Sequence, residues 1–409
     1  MTDDDVAHPG AVTSGTRPLE GVLVVAMEQA VAGPFATRHL ADQGARVIKI
    51  ERVDGGDFAR GFDTLASGLG AHFAWLNRTK ESLALDVKTP HGKTVLDALL
   101  ARADVFLHNL APGAAGDLGL GAAELTEAHP CLIVCEISGY GNGGPYDSRR
   151  AYDLLIQSEA AVVSVTGTVD DPIKPGIAIA DIAAGCYAYS SVLTALLARE
   201  RTGRGCVLDV SMLDAVTEWM GYPLTVSRHG SVPRMVVGMS HPAIAPYDAY
   251  PVGDGSRIAL SVQNDREWVR LARTVLRRDD LVDDPRFATN AARVQNRAEV
   301  DSLVVERLSA LDFAAAERLL LGAGLACAKI NSVAELVDHP QLTARARWAE
   351  VDSPVGTLPT LLPPAPSSGW DVALGPIPEL GAHNERILSE LGLADTDHAT
   401  SPSAQAVPS

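Results

Sequence analysis

The sequence is poor in features that mark several large protein classes. Aromatic residues make up 5% of its 409 residues, and its five cysteines include no Cys-x-x-Cys pair. Its formal net charge is −17 at pH 7, and no basic run of five or six residues offsets it. This charge gives no general field that attracts nucleic acid or an anionic membrane, and the cysteines give no reason to assign a disulfide or a metal. An anionic ligand must therefore be held locally, by arginine, lysine and backbone N–H groups.

Several sequence signals of location and cofactor binding are also missing. The N-terminus reads Met-Thr-Asp-Asp-Asp, without the basic start and apolar run of a secretory signal, and no uninterrupted apolar segment of about 18 residues is seen. We therefore expect a cytoplasmic protein that binds neither nucleic acid nor membranes. Neither G-x-G-x-x-G after the first predicted strand nor G-x-x-x-x-G-K-[ST] occurs, which argues against NAD binding and against a P-loop NTPase. Cys131 and Cys135 flank an apolar run, and we expect both to be small buried thiols.

The sequence does contain a regular alternation of short apolar runs and helical patterns. Apolar runs such as 22–25, 46–50 and 132–137 are separated by helical segments. This alternation is typical of a parallel sheet with crossover helices, so it predicts a doubly wound, Rossmann-like α/β domain. The rest of the chain predicts a smaller α+β domain. The expected boundaries are a disordered tail at 1–18, the large domain at 19–221, the small domain at 222–335, a return to the large domain at 336–394 and a disordered tail at 395–409.

Asp181 is the most informative residue, because it lies between an apolar run and an Ala/Gly segment in Ile-Ala-Ile-Ala-Asp-Ile-Ala-Ala-Gly. An acid in such surroundings needs a partner or a function. One interpretation is a cap at the start of a helix from Ile182 to Leu197. The other is a nucleophile that forms a covalent acyl intermediate. The two are compatible, since a helix N-terminus keeps a carboxylate ionised, and the local sequence leaves both open.

Polar residues also lie near the predicted strand ends, where α/β sheets bind ligands. Arg52 follows the second strand, Arg78 and Lys80 precede the third, and Asn109 follows the fourth. They are either phosphate or ligand contacts, or solvated surface charges and a turn-capping Asn. The loop at 139–146 holds four glycines in eight residues, and it is either a ligand-facing lid or a plain long turn.

Together these features resemble the class III CoA-transferases, the family of formyl-CoA transferase and carnitine CoA-transferase. The matching strings occur in the same order as in the family, over about residues 19–393. No single string is specific to the family, but their combination is. The matching strings are Ala-Gly-Pro at 32–34, Leu-Ala-Asp-Gln-Gly-Ala-Arg-Val-Ile-Lys-Ile-Glu at 40–51, Asn77 to Lys80, Ser-Leu-Ala-Leu-Asp at 82–86, Ile-Ser-Gly-Tyr-Gly at 137–141, Tyr-Asp-Leu-Leu-Ile-Gln at 152–157, the Asp181 segment, Thr-Gly-Arg-Gly at 202–205 and Asp-Pro-Arg-Phe at 284–287.

The resemblance implies a site, a chemistry and an assembly. It implies that Asp181 is the catalytic nucleophile and that a CoA thioester is a substrate and not a permanently bound cofactor. Its partners would be an acyl-CoA, a small carboxylic acid and a second copy of the chain, interlocked as a homodimer in which each small domain covers the partner's active site. The CoA-binding positions that it implies are Val31, Arg52, Leu76, Asn77, Arg78, Lys80, Asn109, Ser138, Gly139 and Tyr140.

The expected reaction transfers CoA through a mixed anhydride and an aspartyl-CoA thioester, with backbone N–H groups of the glycine loop as oxyanion donors. Two family arginines are missing, since the chain has Ala111 and Asp117 at those places, and part of the CoA phosphate contact falls to other basic residues. The glycine-rich lid of formyl-CoA transferase is not evident, which disfavours a formyl or oxalyl substrate. Residues 28–34 and 240–247 resemble the branch that acts on short dicarboxylic acids. Candidates for the substrate contacts are Arg38, Tyr152, Arg234 and His241.

Two alternatives compete with this interpretation. The α-methylacyl-CoA racemases resemble the transferases, but they pair the aspartate with a histidine where this chain has Tyr152. Tyrosine, with an ordinary pKa near ~10, is poorly suited to exchanging an α-proton. The other alternative is a non-catalytic CoA-binding protein in which Asp181 only caps its helix.

Overall fold

A computed structural model of the chain describes residues 17–229 and 238–394. Apart from positions 17 and 18, the two predicted tails lie outside the described residues, and so does Arg234. The strands are β1 (Leu23–Met27), β2 (Arg46–Glu51), β3 (Lys80–Ala84), β4 (Val105–His108), β5 (Ile133–Ser138), β6 (Val207–Ser211), β7 (Tyr247–Pro251), β8 (Arg257–Ser261), β9 (Ala326–Lys329), β10 (Trp348–Val351) and β11 (Leu358–Leu361).

The helices connect these strands and cover the sheets. They are α1 (Ala32–Asp42), α2 (Ala71–Leu76), α3 (Pro90–Leu100), α4 (Ala114–Asp117), α5 (Ala122–Ala128), α6 (Asp153–Glu159), α7 (Ile179–Thr202), α8 (Met212–Trp219), α9 (Gly221–Arg228), α10 (Asp265–Arg270), α11 (Asn290–Gln295), α12 (Arg297–Leu308), α13 (Phe313–Gly322), α14 (Val333–Val337), α15 (Pro340–Ala344) and α16 (Asn384–Leu391). Short 3-10 turns lie at Phe58–Gly61, Val163–Val165 and Asp279–Leu281, and a π-helical segment at Leu271–Leu276 continues α10.

The chain forms two compact units. The first contains residues 17–156, 178–217 and 346–394, and the second contains 157–177, 218–229 and 238–345. Residues 218–221 and 336–345, which the sequence pattern assigned to the large domain, thus belong with the second unit, and so does the segment 157–177. A hydrogen bond of 3.0 Å from the Gly238 N–H to the Gly167 carbonyl helps to hold it there.

The first unit is built on a parallel six-stranded sheet in the order β3-β2-β1-β4-β5-β6. On β1, Val25 lies opposite Ile48 on one side and Phe106 on the other. This strand order confirms the predicted α/β class with a central parallel sheet. The order reverses between β1 and β4, and ligands of such sheets bind beyond the carboxyl ends of the strands at this point. Asn109 follows directly after β4, and Gln29 lies two residues after the end of β1.

The strands read as nearly continuous apolar runs because helices cover both faces of the sheet. On one face, Val25, Phe106 and Val134 form a buried cluster with α3, and Ile387 of α16 joins it. Full burial of one such side chain contributes roughly 1.5–3 kcal/mol, so the return of the C-terminal segment adds to the stability of this unit. The short hairpin β10-β11 also belongs to the first unit.

Helix α7 is the long central helix of the first unit. It packs against α1, β5 and β6, and it buries small residues such as Ala183, Ala184 and Ala188. By length and composition it is the one helix among residues 17–229 and 238–394 that is apolar enough to cross a bilayer. Its buried face, however, is covered by the protein itself.

The second unit has an antiparallel sheet in the order β7-β8-β9 and a hydrophobic core of its own. Trp268, Phe287 and Val300 are among the buried side chains of this core, which joins the sheet to α10, α12 and α13. The unit is therefore of the α+β type. All five cysteines are free thiols. Cys135 is buried as expected, whereas the expectation for Cys131 is wrong, because that residue precedes β5 and is exposed.

Candidate active site

Asp181 is the third residue of α7, and it does not cap this helix. The helix begins at Ile179 and ends at Thr202, so it starts three residues earlier than predicted. The cap position is Ala178, and no side chain caps the helix from that position. Asp153 of α6 instead supplies a hydrogen-bond acceptor at the N-terminus of the helix, because its Oδ1 accepts the backbone N–H of Ala180 at 2.9 Å. The interpretation of Asp181 as a helix cap is therefore wrong.

The carboxyl group of Asp181 titrates near neutral pH. Burial, reinforced by the negative charge of Asp153, raises its pKa from 3.8 to about 7, although a hydrogen bond from the backbone N–H of Ala32 works in the opposite direction. Desolvation disfavours the charged form, and a donated hydrogen bond favours it. A carboxylate whose solvation is reduced in this way is a stronger nucleophile than one in water.

The Ala32 N–H is free to serve Asp181 because Ala32 is the first residue of α1. The first N–H groups of a helix have no partner within it, and they carry the positive end of the helix dipole. Asp181 itself lies in the first turn of α7. The carboxyl group thus lies at the N-terminal ends of two helices, an arrangement that suits an anion or a developing negative charge.

Gly185 allows α1 and α7 to approach this closely. It lies one turn after Asp181, on the same side of α7. A Cβ at this position would lie 2.9 Å from the Ala32 carbonyl oxygen and 3.0 Å from the Cβ of Phe35. The close approach that the Ala/Gly segment suggested is therefore to α1, which brings the Ala32 N–H to Asp181.

Two side chains hold the turn that joins β1 to α1. The side-chain amide of Asn109 accepts the Gln29 N–H at 2.8 Å and donates to the Gln29 carbonyl at 2.9 Å. Asp57 accepts the Ala30 N–H at 3.1 Å through Oδ1. Val31, the last residue of this turn, is buried.

A buried cluster of charges lies beneath the turn. Glu28 Oε1 is 2.7 Å from the ammonium group of Lys80 and 3.5 Å from that of Lys49, and Asp57 is 2.8 Å from Lys49. Burial lowers the pKa of Lys80 to about 8, against the attraction of Glu28, and the charge of Lys49 adds to this lowering. Asn77 accepts a third hydrogen bond from Lys80 at 3.1 Å.

A second buried cluster surrounds Asp42 at the end of α1. Arg78 binds this carboxylate with two hydrogen bonds of 2.7 and 2.8 Å, and it also donates to the Leu361 carbonyl at 3.1 Å. Arg38 binds the same carboxylate at 3.1 Å. One aspartate therefore serves two guanidinium groups.

The structure places the predicted CoA-binding residues in two kinds of surroundings. The side chains of Leu76, Asn77, Arg78 and Lys80 are buried, and the three polar ones are hydrogen-bonded within the protein, so these groups would have to leave their partners to reach a ligand. Arg52, in contrast, is exposed, with Asp54 at 3.7 Å.

The glycine loop lies at the carboxyl end of β5. Ser138 Oγ accepts the Gly141 N–H at 2.9 Å, and the ring of Tyr140 packs edge-on against Tyr146 with 5.4 Å between centroids. A Cβ on Gly139 would lie 2.1 Å from the Cβ of Ala151, so this glycine is needed for packing. The N–H group that reaches Asp181 comes from Ala32.

The predicted substrate contacts are spread over the chain. Arg38 is buried in the Asp42 cluster, and Tyr152 is exposed immediately before α6. His241 lies in the second unit, where its ring contacts Tyr222 and Tyr247. No group of three or more His, Cys, Asp or Glu side chains that could hold a metal ion occurs in the described part of the chain.

Comparison with known proteins decides the family. The sequence pattern of CoA-transferase family III matches residues 19–384. The chain belongs to CoA-transferase family III. The predicted resemblance and the prediction of a CoA-transferase, an enzyme whose substrate is a CoA thioester, are thus confirmed.

Relatives of this CoA-transferase match over most of their length. Succinyl-CoA:glutarate CoA-transferase of Mus musculus is 32% identical over 94% of this chain and 88% of its own. Succinate–glutarate CoA-transferase of Agrobacterium fabrum is 34% identical over 91% of this chain and 96% of its own. The crystal structure of a CAIB/BAIF family protein from Brucella suis superposes with a TM-score of 0.81 at 34% identity, covering 92% of this chain and all of that one.

Sequence reasoning missed four residues of the site of this CoA-transferase. Ala32 and Gly185 lie inside strings that carry the family resemblance, and Asp57 lies six residues after one of them, but no local pattern indicates a role at Asp181 for any of the three. Asp153 follows Tyr152 in the matching Tyr-Asp string. The signal that could have identified it is an acidic residue that does not fit the apolar periodicity of the segment around it. Their roles depend on contacts between segments that are distant in the chain.

Proposed function

We propose that this CoA-transferase moves CoA from a dicarboxylic acyl-CoA such as succinyl-CoA to a short dicarboxylate. The single observation that carries the catalytic part is Asp181, a largely buried carboxyl group with a pKa near 7 and an N–H donor from a second helix. The substrate class is supported by relatives named for succinyl-CoA and glutarate, and by a Chloroflexus aurantiacus relative, 30% identical, named succinyl-CoA–D-citramalate CoA-transferase.

The proposed reaction begins when the Asp181 carboxylate attacks the thioester carbonyl of the donor. The C–S bond breaks, CoA leaves as a thiolate, and a mixed anhydride joins Asp181 to the donor acyl group. The thiolate then attacks the Asp181 carbonyl, which releases the donor acid and leaves an aspartyl-CoA thioester. The acceptor carboxylate reverses the two steps, so that CoA leaves on the acceptor and Asp181 is regenerated.

Two features of the site support these steps. Negative charge develops on the Asp181 carbonyl oxygen each time a nucleophile adds to it, and the Ala32 N–H, which already lowers the pKa of this group, can stabilise that charge. Removal of one such donor typically costs about 3–4 kcal/mol of transition-state stabilisation. Binding of the distant CoA nucleotide can supply a further part of the barrier, since orientation contributes roughly 7–11 kcal/mol.

The finer assignments belong to the same proposal. We assign CoA to the edge of the sheet formed by the carboxyl ends of β1, β4 and β5, with Arg52 as its exposed cationic contact. Arg38 is the candidate for the second carboxylate of the substrate, because its Nε is buried without a hydrogen-bond partner in the described residues. The proposed assembly is the interlocked homodimer that the family resemblance implies.

The experiment that tests the proposed function incubates the protein in D₂O with succinyl-CoA and a panel of C4 to C6 dicarboxylic acids. Mass spectrometry of the acyl-CoA pool then identifies the acceptor, and Asp181→Ala is the control. We expect new acyl-CoA species that the control does not form. The same incubation includes an α-methyl-branched acyl-CoA. Deuterium entering that compound without acyl exchange would instead identify a racemase, and CoA binding without either reaction would identify a non-catalytic binder.

A further inference from the structure

We propose that Asn109 and Asp57 are positioning residues of the transfer reaction, which together hold the β1–α1 turn so that the Ala32 N–H stays directed at Asp181. This inference rests on the proposed function and deepens it. Neither side chain has to touch the reacting atoms. Each acts through the backbone of residues 29–31, which leads directly into the first residue of α1.

Asn109 fixes the first residue of the turn on both of its backbone groups. Its Oδ1 accepts the Gln29 N–H, and its Nδ2 donates to the Gln29 carbonyl. A side-chain amide that binds both groups of one residue fixes the position and the orientation of that residue. Asn109 is suited to this role because it follows β4, the strand that pairs with β1, so the two strand ends lie side by side.

Asp57 fixes the second residue and is itself held firmly. Its Oδ1 accepts the N–H groups of Ala30 at 3.1 Å and Ala59 at 2.9 Å, and its Oδ2 binds the buried ammonium group of Lys49 at 2.8 Å. Asp57 is 2% exposed, so a change in these contacts is not compensated by water. Burial opposes a charge on Lys49, but Glu28, Asp57 and Glu51 together raise its pKa, so Lys49 stays charged beside Asp57.

The turn needs to be held because its backbone is strained. Ala30 has φ of +60°, in the left-handed region that disfavours a residue with a Cβ. Such a conformation costs roughly 1–2 kcal/mol and persists where the surroundings enforce it. Without its two anchors the turn would relax, and the N–H group of Ala32 would move with it.

The experiment compares Asn109→Ala, Asp57→Ala and the double variant with Asp63→Ala as a matched control. Asp63 also accepts two backbone N–H groups, from Leu65 and Ala71, but it does not touch residues 29–31. We expect each single variant to lower kcat on the order of 100-fold. The KM for acyl-CoA should change much less, and the control should keep its kcat.

Two further readouts separate positioning from a structural role. Loss of the Ala32 hydrogen bond should move the acid limb of the pH profile to higher pH, while Asp153, the charged group that faces Asp181 from α6, remains unchanged. The double variant should lose little more than the poorer single variant, because one broken anchor already frees the turn. If one variant fails to fold, the other still gives both the pH profile and the KM.

The outcomes divide clearly. The proposal would be overturned by an unchanged acid limb in the active variants. It would also be overturned if the loss of kcat in the double variant equalled the product of the losses in the two single variants. A rise in KM alone for Asn109→Ala would show that this residue contacts CoA directly instead. Wild-type protein without CoA transfer would refute the proposed function, whereas active wild-type protein with unaffected variants would refute only the positioning role.

Discussion

Asp153 caps the helix that carries Asp181, and it also destabilises the charge on Asp181. One carboxyl oxygen of Asp153 accepts the Ala180 N–H at 2.9 Å, and its negative charge adds to burial in raising the pKa of Asp181 to about 7. A single residue therefore positions the Asp181 carboxyl group and adjusts its protonation. These two effects can be separated experimentally, because asparagine caps helices about as well as aspartate but carries no charge.

The first prediction concerns the pH profile. Wild-type kcat/KM should rise through pH 7 with a slope of one, because the proposed nucleophile is the ionised form of Asp181. In Asp153→Asn the like charge is lost, the pKa of Asp181 falls, and the acid limb should move to lower pH. Steady-state kinetics from pH 5 to pH 9 measure both profiles. An acid limb that stays in place or moves to higher pH in this variant would show that Asp153 does not control Asp181.

The second prediction concerns stability. The folded-state pKa of Asp181 is raised above its ordinary value of 3.8, so its contribution is fully present below pH 3.8 and is lost as the pH rises through about 7. Asp181→Asn removes this cost. At about 1.4 kcal/mol for each pH unit between the two pKa values, the upper limit of the gain above pH 7 is about 4 kcal/mol. Denaturation at pH 5 and pH 8 should show a larger gain at pH 8, and an equal gain at both would be inconsistent with this linkage.

The third prediction concerns the contact between α1 and α7. Gly185→Ala places a methyl group 2.9 Å from the Ala32 carbonyl oxygen, so α1 must shift. We expect a loss of about 1–3 kcal/mol in the free energy of unfolding and a clear loss of kcat. Gly116→Ala is the matched control, because a Cβ there meets nothing within 4 Å. Equal behaviour of the two variants in activity assays would argue against the importance of this approach.

The fourth prediction concerns the Asp42 cluster. Arg78→Met leaves the fully buried Asp42 with Arg38 alone, and removal of one partner from a buried ion pair typically costs about 3–5 kcal/mol, a large part of the stability of a typical domain. We expect a large drop in the denaturation midpoint. Arg278→Met, which breaks an exposed pair with Asp280, should change the midpoint little. A modest effect of Arg78→Met on stability together with a large rise in the KM for acyl-CoA would favour the predicted CoA contact.

The fold was predictable where periodicity is unambiguous. Short apolar runs such as Val105–His108, separated by helical patterns, are typical of buried strands in a parallel sheet, so the parallel sheet followed from the sequence. The start of α7 could not be predicted from the sequence, because Ile-Ala-Ile-Ala at 177–180 fits a strand or a helix equally well. The assignment of 157–177 to the second unit depends on contacts such as Gly167 with Gly238, which no local pattern reveals.

The site was predictable in its central residue and less so in its surroundings. Asp181 stands out because a lone acid in an apolar run is unusual, and the structure places it at a helix N-terminus. Arg78 and Lys80 look like ligand contacts in sequence, since an arginine and a lysine beside a strand end suit phosphate. They are buried because Asp42 and Glu28, from distant parts of the chain, neutralise them. Pairing between distant charges is a tertiary property that one sequence does not display.

The most direct test of the account is to trap the covalent intermediate on Asp181. The protein is incubated with succinyl-CoA without an acceptor acid, reduced with borohydride and digested for peptide mass spectrometry. Borohydride converts an aspartyl thioester into a homoserine residue but leaves a free aspartate unchanged. We predict homoserine at position 181 in wild-type protein that received succinyl-CoA, and none in protein that received free CoA. An unmodified Asp181 in protein that still transfers CoA would contradict the account.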